Sequence, residues 1–221
     1  MFTKARDWGK AYENPVKHVR FFKEKNIPLQ FLEVEEIRAL LNASPDYFRP
    51  ILIMALNTGM RRGEIFNLKW DDIDFKRGLI MVRDSKNNEA REIPMNRILH
   101  DTLKAHKKNP NSELVFCHSD GRKLINLRDI LRKSLRKAKI EKQIRFHDLR
   151  HTFASQLVMS GADLIVVKEL LGHKTLNMTA RYAHLSPRYK VGMLDILGSK
   201  MDTIWTPEGS LKTEVLKNPE K

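Results

Sequence analysis

Cysteine is almost absent from the chain: Cys117 is the one thiol, so no intrachain disulfide and no cysteine-built metal cluster can form. It follows Leu114-Val115-Phe116 and is expected in the core. Long apolar runs are missing too, the longest being Ile51 to Leu56, far short of the ~18 residues of a membrane span. The amino terminus lacks the apolar segment of a secretory signal, so a cytoplasmic protein with no membrane partner is expected. Acids are also scarce: Asp and Glu number 27 against 41 Lys and Arg, a formal net charge of +14 spread along the whole length. Such a surplus favours a polyanionic partner, and nucleic acid is the commonest, because neutralising phosphates releases condensed counterions. A basic surface that only keeps the protein soluble is the alternative at this level.

What is present suffices for one main domain, since 41% of the residues are hydrophobic. Residues 1–30 are basic and aromatic and read as a linker or short helical remnant, too short for a domain. From Glu33 onward Val34, Ile37, Leu40 and Leu41 mark an amphipathic helix. A second helix carrying Ile51, Met54 and Ala55 should stop at Gly59, and a third should run from Arg61 to Leu68. The segments Asp72 to Phe75, Leu79 to Val82 and Arg91 to Pro94 then suggest a small antiparallel meander. Helical periodicity returns over Arg97 to Lys107, Leu127 to Ala138, His147 to Ser160, Asp163 to Leu171 and again after Thr175. The fold expected is mainly α with a small antiparallel β-sheet, an α+β domain over residues 31–197. The polar stretch 198–221 is expected to be a mobile tail.

Several segments carry chemistry. On a helix His147 and Arg150 project to one side, while Leu149, Phe153 and Leu157 form the inward stripe. A basic, solvated helix face would look similar. A zinc site at His147 and His151, spaced i and i+4, is a further reading, although Asp148 stands where the zinc-protease helix has Glu. In Thr58-Gly59-Met60-Arg61-Arg62-Gly63-Glu64 one helix stops at a glycine and the next begins with two arginines and an acid. Helix starts favour anions, and a guanidinium there can grip phosphate with two prongs, but an ordinary inter-helix turn shares the pattern. The third segment is Leu171-Gly172-His173, with Tyr182 nine residues after His173.

Together with Ser85-Lys86-Asn87-Asn88-Glu89-Ala90-Arg91-Glu92-Ile93-Pro94, these segments resemble, in order and spacing, the signature of the tyrosine recombinases, or phage integrases, across residues 33–190. The resemblance implies that Tyr182 is the nucleophile, that Arg61 and Arg150 clamp the scissile phosphate, that His147 and His173 complete the site, and that Lys86 donates a proton. Glu64 falls where the family has an acid that supports the site's geometry. Gly63 departs from the family's frequent Ser, at a position outside the reacting groups.

The implied chemistry suits these groups. In-line displacement at a phosphodiester builds charge on the equatorial oxygens, which two guanidiniums answer with preorganised donors. A tyrosine hydroxyl, with an unperturbed pKa near ~10, needs a base or nearby cations, and His147 is the expected helper. The departing 5′ oxygen needs a proton, the task given to Lys86. No cofactor and no metal are implied, because the constellation holds cations rather than the carboxylate cluster of a two-metal nuclease. The expected partner is double-stranded DNA. The family acts as a tetramer in which the segment after the tyrosine docks on a neighbour, and Val191 to Leu197 is the candidate for that exchange. A type IB topoisomerase and a non-catalytic DNA-binding regulator built on Asp163 to His184 are the rival readings. Family members usually carry a separate helical domain ahead of the catalytic one, so a fragment or a minimal member is expected.

Overall fold

The computed structural model describes residues 2–17, 19–20, 29–83, 90–185, 192 and 194–201. A short helix α1 (Phe2–Asp7), which buries none of its side chains, precedes the main body. Helix α2 (Val34–Ala43) starts where the Glu33 backbone N–H donates to Glu36 Oε2 at 2.7 Å, occupying one of the donors that a helix start leaves unpaired. Helix α3 (Arg49–Thr58) has Pro50 in its first turn, where a missing N–H costs nothing, and ends at Gly59 with φ of 60°. A Cβ at Gly59 would lie 2.4 Å from the Phe153 ring, so glycine is required there both for the left-handed turn and for the close approach of the Phe153 and Leu171 side chains.

Helix α4 (Arg62–Asn67) leads through a 3-10 turn at Trp70–Asp72 into a three-stranded antiparallel sheet in the order β1-β2-β3. The strands are β1 (Ile73–Asp74), β2 (Leu79–Val82) and β3 (Arg91–Pro94). Ile80 pairs with Ile93 and Val82 with Arg91, and Ile80, Val82 and Ile93 face the core. The first strand is shorter than the expected Asp72 to Phe75 because the 3-10 turn consumes its start.

The remaining helices are α5 (Arg97–Ala105), α6 (Arg128–Lys137), α7 (Asp148–Met159), α8 (Leu164–Leu171) and α9 (Leu176–Ala180). Side-chain caps at Asn96 and Asp163 start α5 and α8, accepting from Leu99 N at 2.9 Å and Ile165 N at 2.6 Å. Helix α7 runs against α3, and its Leu149 joins Phe48, Leu52, Met54 and Ile65 in the main core. Its other end meets α8 in a second cluster of Phe153, Ala154, Val158, Val167, Leu171 and Tyr182. Cys117 departs from expectation in being only half-buried: Val115 and Phe116 fill the core, and Cys117 forms a rim bridge with Lys123. No helix among the described residues is long and apolar enough to cross a membrane.

Candidate active site

The turn at Gly59 delivers Arg61 to the head of α4, where its backbone N–H donates to Glu64 Oε2 at 2.8 Å and its Nη1 to Oε1 at 2.9 Å. Arg91, the first residue of β3, grips the same carboxylate from the other side, with Nη1 to Oε1 at 3.1 Å and Nη2 to Oε2 at 2.8 Å. Its Nε also donates to the Leu170 carbonyl at 3.1 Å, which ties the sheet to the end of α8. Glu64 therefore supports the floor of the site instead of compensating a helix dipole at the surface, and its side chain is 4% exposed. Burial pushes its pKa upward, but hydrogen bonds and charge from Arg91, then Arg61, outweigh that and hold it below the ordinary carboxylate value.

Arg150 was expected to emerge from the helix surface beside His147. It is 4% exposed and spans two helix ends, with Nη1 donating to Gly59 O and Nη2 to Leu171 O, both at 2.7 Å. Helix C-terminal carbonyls are unpaired acceptors, so they hold a guanidinium without neutralising it. Burial, then the like charge of Arg61, lowers the Arg150 pKa to about 10, and the group stays charged at neutral pH. Two guanidiniums, Arg61 and Arg91, bond the Glu64 carboxylate and Arg150 acts on it through charge alone, so the cluster carries a local excess of positive charge.

Gly172 caps α8 with φ of 64°, turning the chain so that His173 faces back toward the arginines. His173 Nδ1 bonds Thr179 Oγ1 at 2.9 Å, which fixes the ring and leaves Nε2 for the cleft. Burial, then the charges of Arg150 and Arg61, bring its pKa to about 4, so the ring is neutral. His147, at the start of α7, is lowered for the same reasons, desolvation first and then Arg150.

Tyr182, just after α9, is 1% exposed and has its phenol pushed upward by burial. Its hydroxyl bonds His151 Nδ1 at 2.6 Å, whereas His147, the helper expected from the sequence, reaches His151 ring to ring at a centroid distance of 5.0 Å. One cleft of about 380 Å³ gathers Arg61, His147, Arg150, His173 and Tyr182, with His151 and Arg181 joining them. Glu64 lies beneath it through Arg61. Lys86 falls outside the described residues. The sequence reading assigned no task to Arg91 and considered His151 only as a zinc ligand beside His147. Their signals were present, Arg91 inside the hairpin motif and His151 one helical turn after His147, but neither spacing shows what the side chain touches.

The Glu64→Gln variant keeps the shape of the side chain and leaves Arg61 and Arg91 without their counterion. Loss of one partner from a buried ion pair costs about 3–5 kcal/mol. Because the folded-state pKa of Glu64 lies below its unfolded value, this stabilisation is complete above the ordinary carboxylate range and is lost as pH falls through the folded value. Urea midpoints of parent and variant are expected to differ widely at neutral pH and to converge in acid. A gap that stays constant with pH would mean that the charge is not what braces the site.

Residues 30–188 match the model of the phage integrase family. The integrase of Salmonella phage P22 is 32% identical over 199 residues, covering 83% of this chain and 50% of that protein. The chain thus spans about half the length of that relative. Among solved structures, the catalytic domain of bacteriophage HP1 integrase superposes with a TM-score of 0.59 at 28% identity, covering 81% of this chain and 96% of that one. The XerH site-specific recombinase, bound to a palindromic difH substrate in a post-cleavage complex, gives 0.63 at 25% identity, covering 78% of this chain and 54% of that one. Fold, motif order and the family match over residues 30–188 agree, and the chain belongs to the phage integrase family.

Proposed function

We propose that this chain is the catalytic part of a site-specific DNA recombinase that cuts and rejoins strands through a 3′-phosphotyrosyl link to Tyr182. The observation that carries the reading is one cleft in which the guanidiniums of Arg61 and Arg150 meet three histidines, His147, His151 and His173, and a buried tyrosine hydroxyl. A phosphodiester entering the cleft supplies the anion that the arginine cluster lacks. As Tyr182 attacks, the added charge on the equatorial oxygens falls to Arg61 and Arg150, with His173 Nε2 as a further donor. Lys86 is the proposed acid for the 5′ oxygen; it falls in sequence between β2 and β3, and Arg91 at the head of β3 touches the site through Glu64. The phosphotyrosyl bond conserves the energy of the broken bond, so a 5′ hydroxyl from another strand can reseal the DNA without ATP.

Double-stranded DNA is the proposed partner, supported by the net charge of +14 and by the anion-seeking site. Residues 31–197 are the proposed catalytic domain, residues 1–30 a linker whose short α1 buries no side chain, and residues 198–221 a tail. Assembly as a tetramer through the segment after Tyr182 is supported by the helical residues 194–201, where Leu194, Ile196 and Leu197 are exposed and Leu194 is 67% so. Val191 of that segment lies outside the described residues.

The test is incubation with nicked suicide substrates at low salt, without metal or ATP, followed by denaturing gels. A covalent adduct whose strand is then joined to a new partner supports recombination. Adducts that reseal only the original strand would favour a topoisomerase, and binding without any adduct would favour the non-catalytic regulator.

A further inference from the structure

The Tyr182 hydroxyl is the reacting oxygen of the proposed chemistry, and its hydrogen bond goes to a histidine outside the expected catalytic set. His151 sits one turn along α7 from His147, and its Nδ1 lies 2.6 Å from the phenol oxygen. Resting on the function proposed above, we infer that His151 Nδ1 is the base that receives the phenolic proton when Tyr182 attacks the phosphate.

Charge and tautomer favour that direction. The groups facing His151 are His147, Asp148 and Arg150 on its own helix, Arg181 and Tyr182 after α9, and His173 before it. Burial first, then the positive character of His147 and Arg181, takes its pKa to about 4, so the resting ring is neutral. The phenol, pushed upward by its own burial, keeps its proton. A protonated phenol beside a neutral imidazole donates to the nitrogen that carries the lone pair, which places the ring proton on Nε2. In this state the base is weak. A phosphodiester bound by Arg61 and Arg150 would bring negative charge into the same cleft and offset the cations that penalise an imidazolium at position 151. The base is thus armed by the substrate, and an empty site keeps its nucleophile protonated and buried.

The step balances. The proton on Tyr182 Oη passes to His151 Nδ1 as the Oη–P bond forms. The P–O5′ bond breaks with its electron pair on O5′, which takes the proton of Lys86. Religation runs in reverse: the incoming 5′ hydroxyl displaces the tyrosine, and His151 returns the proton to Oη.

The test is His151→Asn, which keeps an acceptor near the Nδ1 position but cannot hold a proton. With folding and DNA affinity checked against the parent, single-turnover adduct formation on a nicked substrate is expected to slow about 10²–10³-fold near neutral pH. The parent rate should be flat between about pH 7 and 9, while the variant climbs roughly tenfold per pH unit as hydroxide replaces the base. On a substrate with sulfur at the bridging 5′ position, which leaves without a proton, the defect should persist. Rates and pH profile equal to the parent would overturn the inference, and so would rescue by the sulfur substrate, which would move His151 to the leaving-group side. No adduct from the parent on any substrate would overturn the recombinase reading and the base with it. Independently of activity, nitrogen-15 shifts of His151 in the DNA-free protein should show Nδ1 as the unprotonated acceptor; a proton on Nδ1 would reverse the hydrogen bond and overturn the assignment.

Discussion

The Tyr182→Phe variant is expected to form no denaturation-resistant adduct on a nicked suicide substrate under conditions where the parent forms one readily. The substitution deletes the attacking oxygen and little else. The ring packs among Phe153, Val158, Val167 and Leu171, contacts that phenylalanine keeps. What is lost besides reactivity is the hydrogen bond to His151 Nδ1, and leaving one half-buried acceptor unpaired costs about 1–3 kcal/mol. The variant should therefore stay folded and bind DNA as the parent does, which separates loss of chemistry from loss of structure. Equal adduct from parent and variant would transfer the nucleophile to another side chain.

The Arg150→Lys variant is expected to cut the rate of strand cleavage by about 10²–10³-fold, the usual cost of removing one preorganised donor to a developing oxyanion. Formal charge is conserved, so a purely electrostatic tether would survive the change. The geometry would not. Arg150 uses Nη1 on Gly59 O and Nη2 on Leu171 O, joining the end of α3 to the end of α8, and a guanidinium is planar enough to do this and still present N–H groups to the cleft. An ammonium cannot span both carbonyls from one atom while also facing phosphate. DNA affinity at low salt should change little, because most of it comes from the dispersed surface charge. Single-turnover cleavage compared with filter binding on the same substrate separates the two effects, and a cleavage rate close to the parent's would show that position 150 supplies charge alone.

Much of this architecture is legible along the chain because its determinants are local. Gly59 and Gly172 end helices where a left-handed residue is needed, Asn96 and Asp163 start them, and the short apolar run Leu79 to Val82 between polar stretches marks a strand. The order and spacing of Arg61, His147, Arg150, His173 and Tyr182 are local facts as well, and one cleft gathers all five. What the chain does not reveal is decided by neighbours distant in sequence. Cys117 follows an apolar run, yet it is only half-buried where its backbone pairs with that of Lys123 in an isolated β-bridge. The family resemblance marks Glu64 as a supporting acid, but that Arg91, 27 residues later, closes over it is visible only in the fold. The resemblance marks Arg150 as a phosphate clamp, but the two carbonyls, 91 and 21 residues away, that take its donors cannot be read from spacing.

The sequence by itself determined the class of fold, the helical and strand segments and the candidate residues of the site, because periodicity, capping and motif spacing are properties of neighbours along the chain. Only the tertiary structure decided which donor meets which acceptor. It placed Arg91 on Glu64, Arg150 on two helix ends and His151, in place of His147, on the Tyr182 hydroxyl. Side chains one helical turn apart look equivalent in sequence. A hydrogen bond, however, weakens steeply with distance and angle, so the packing of α7 against the chain after α9 selects one of the two histidines.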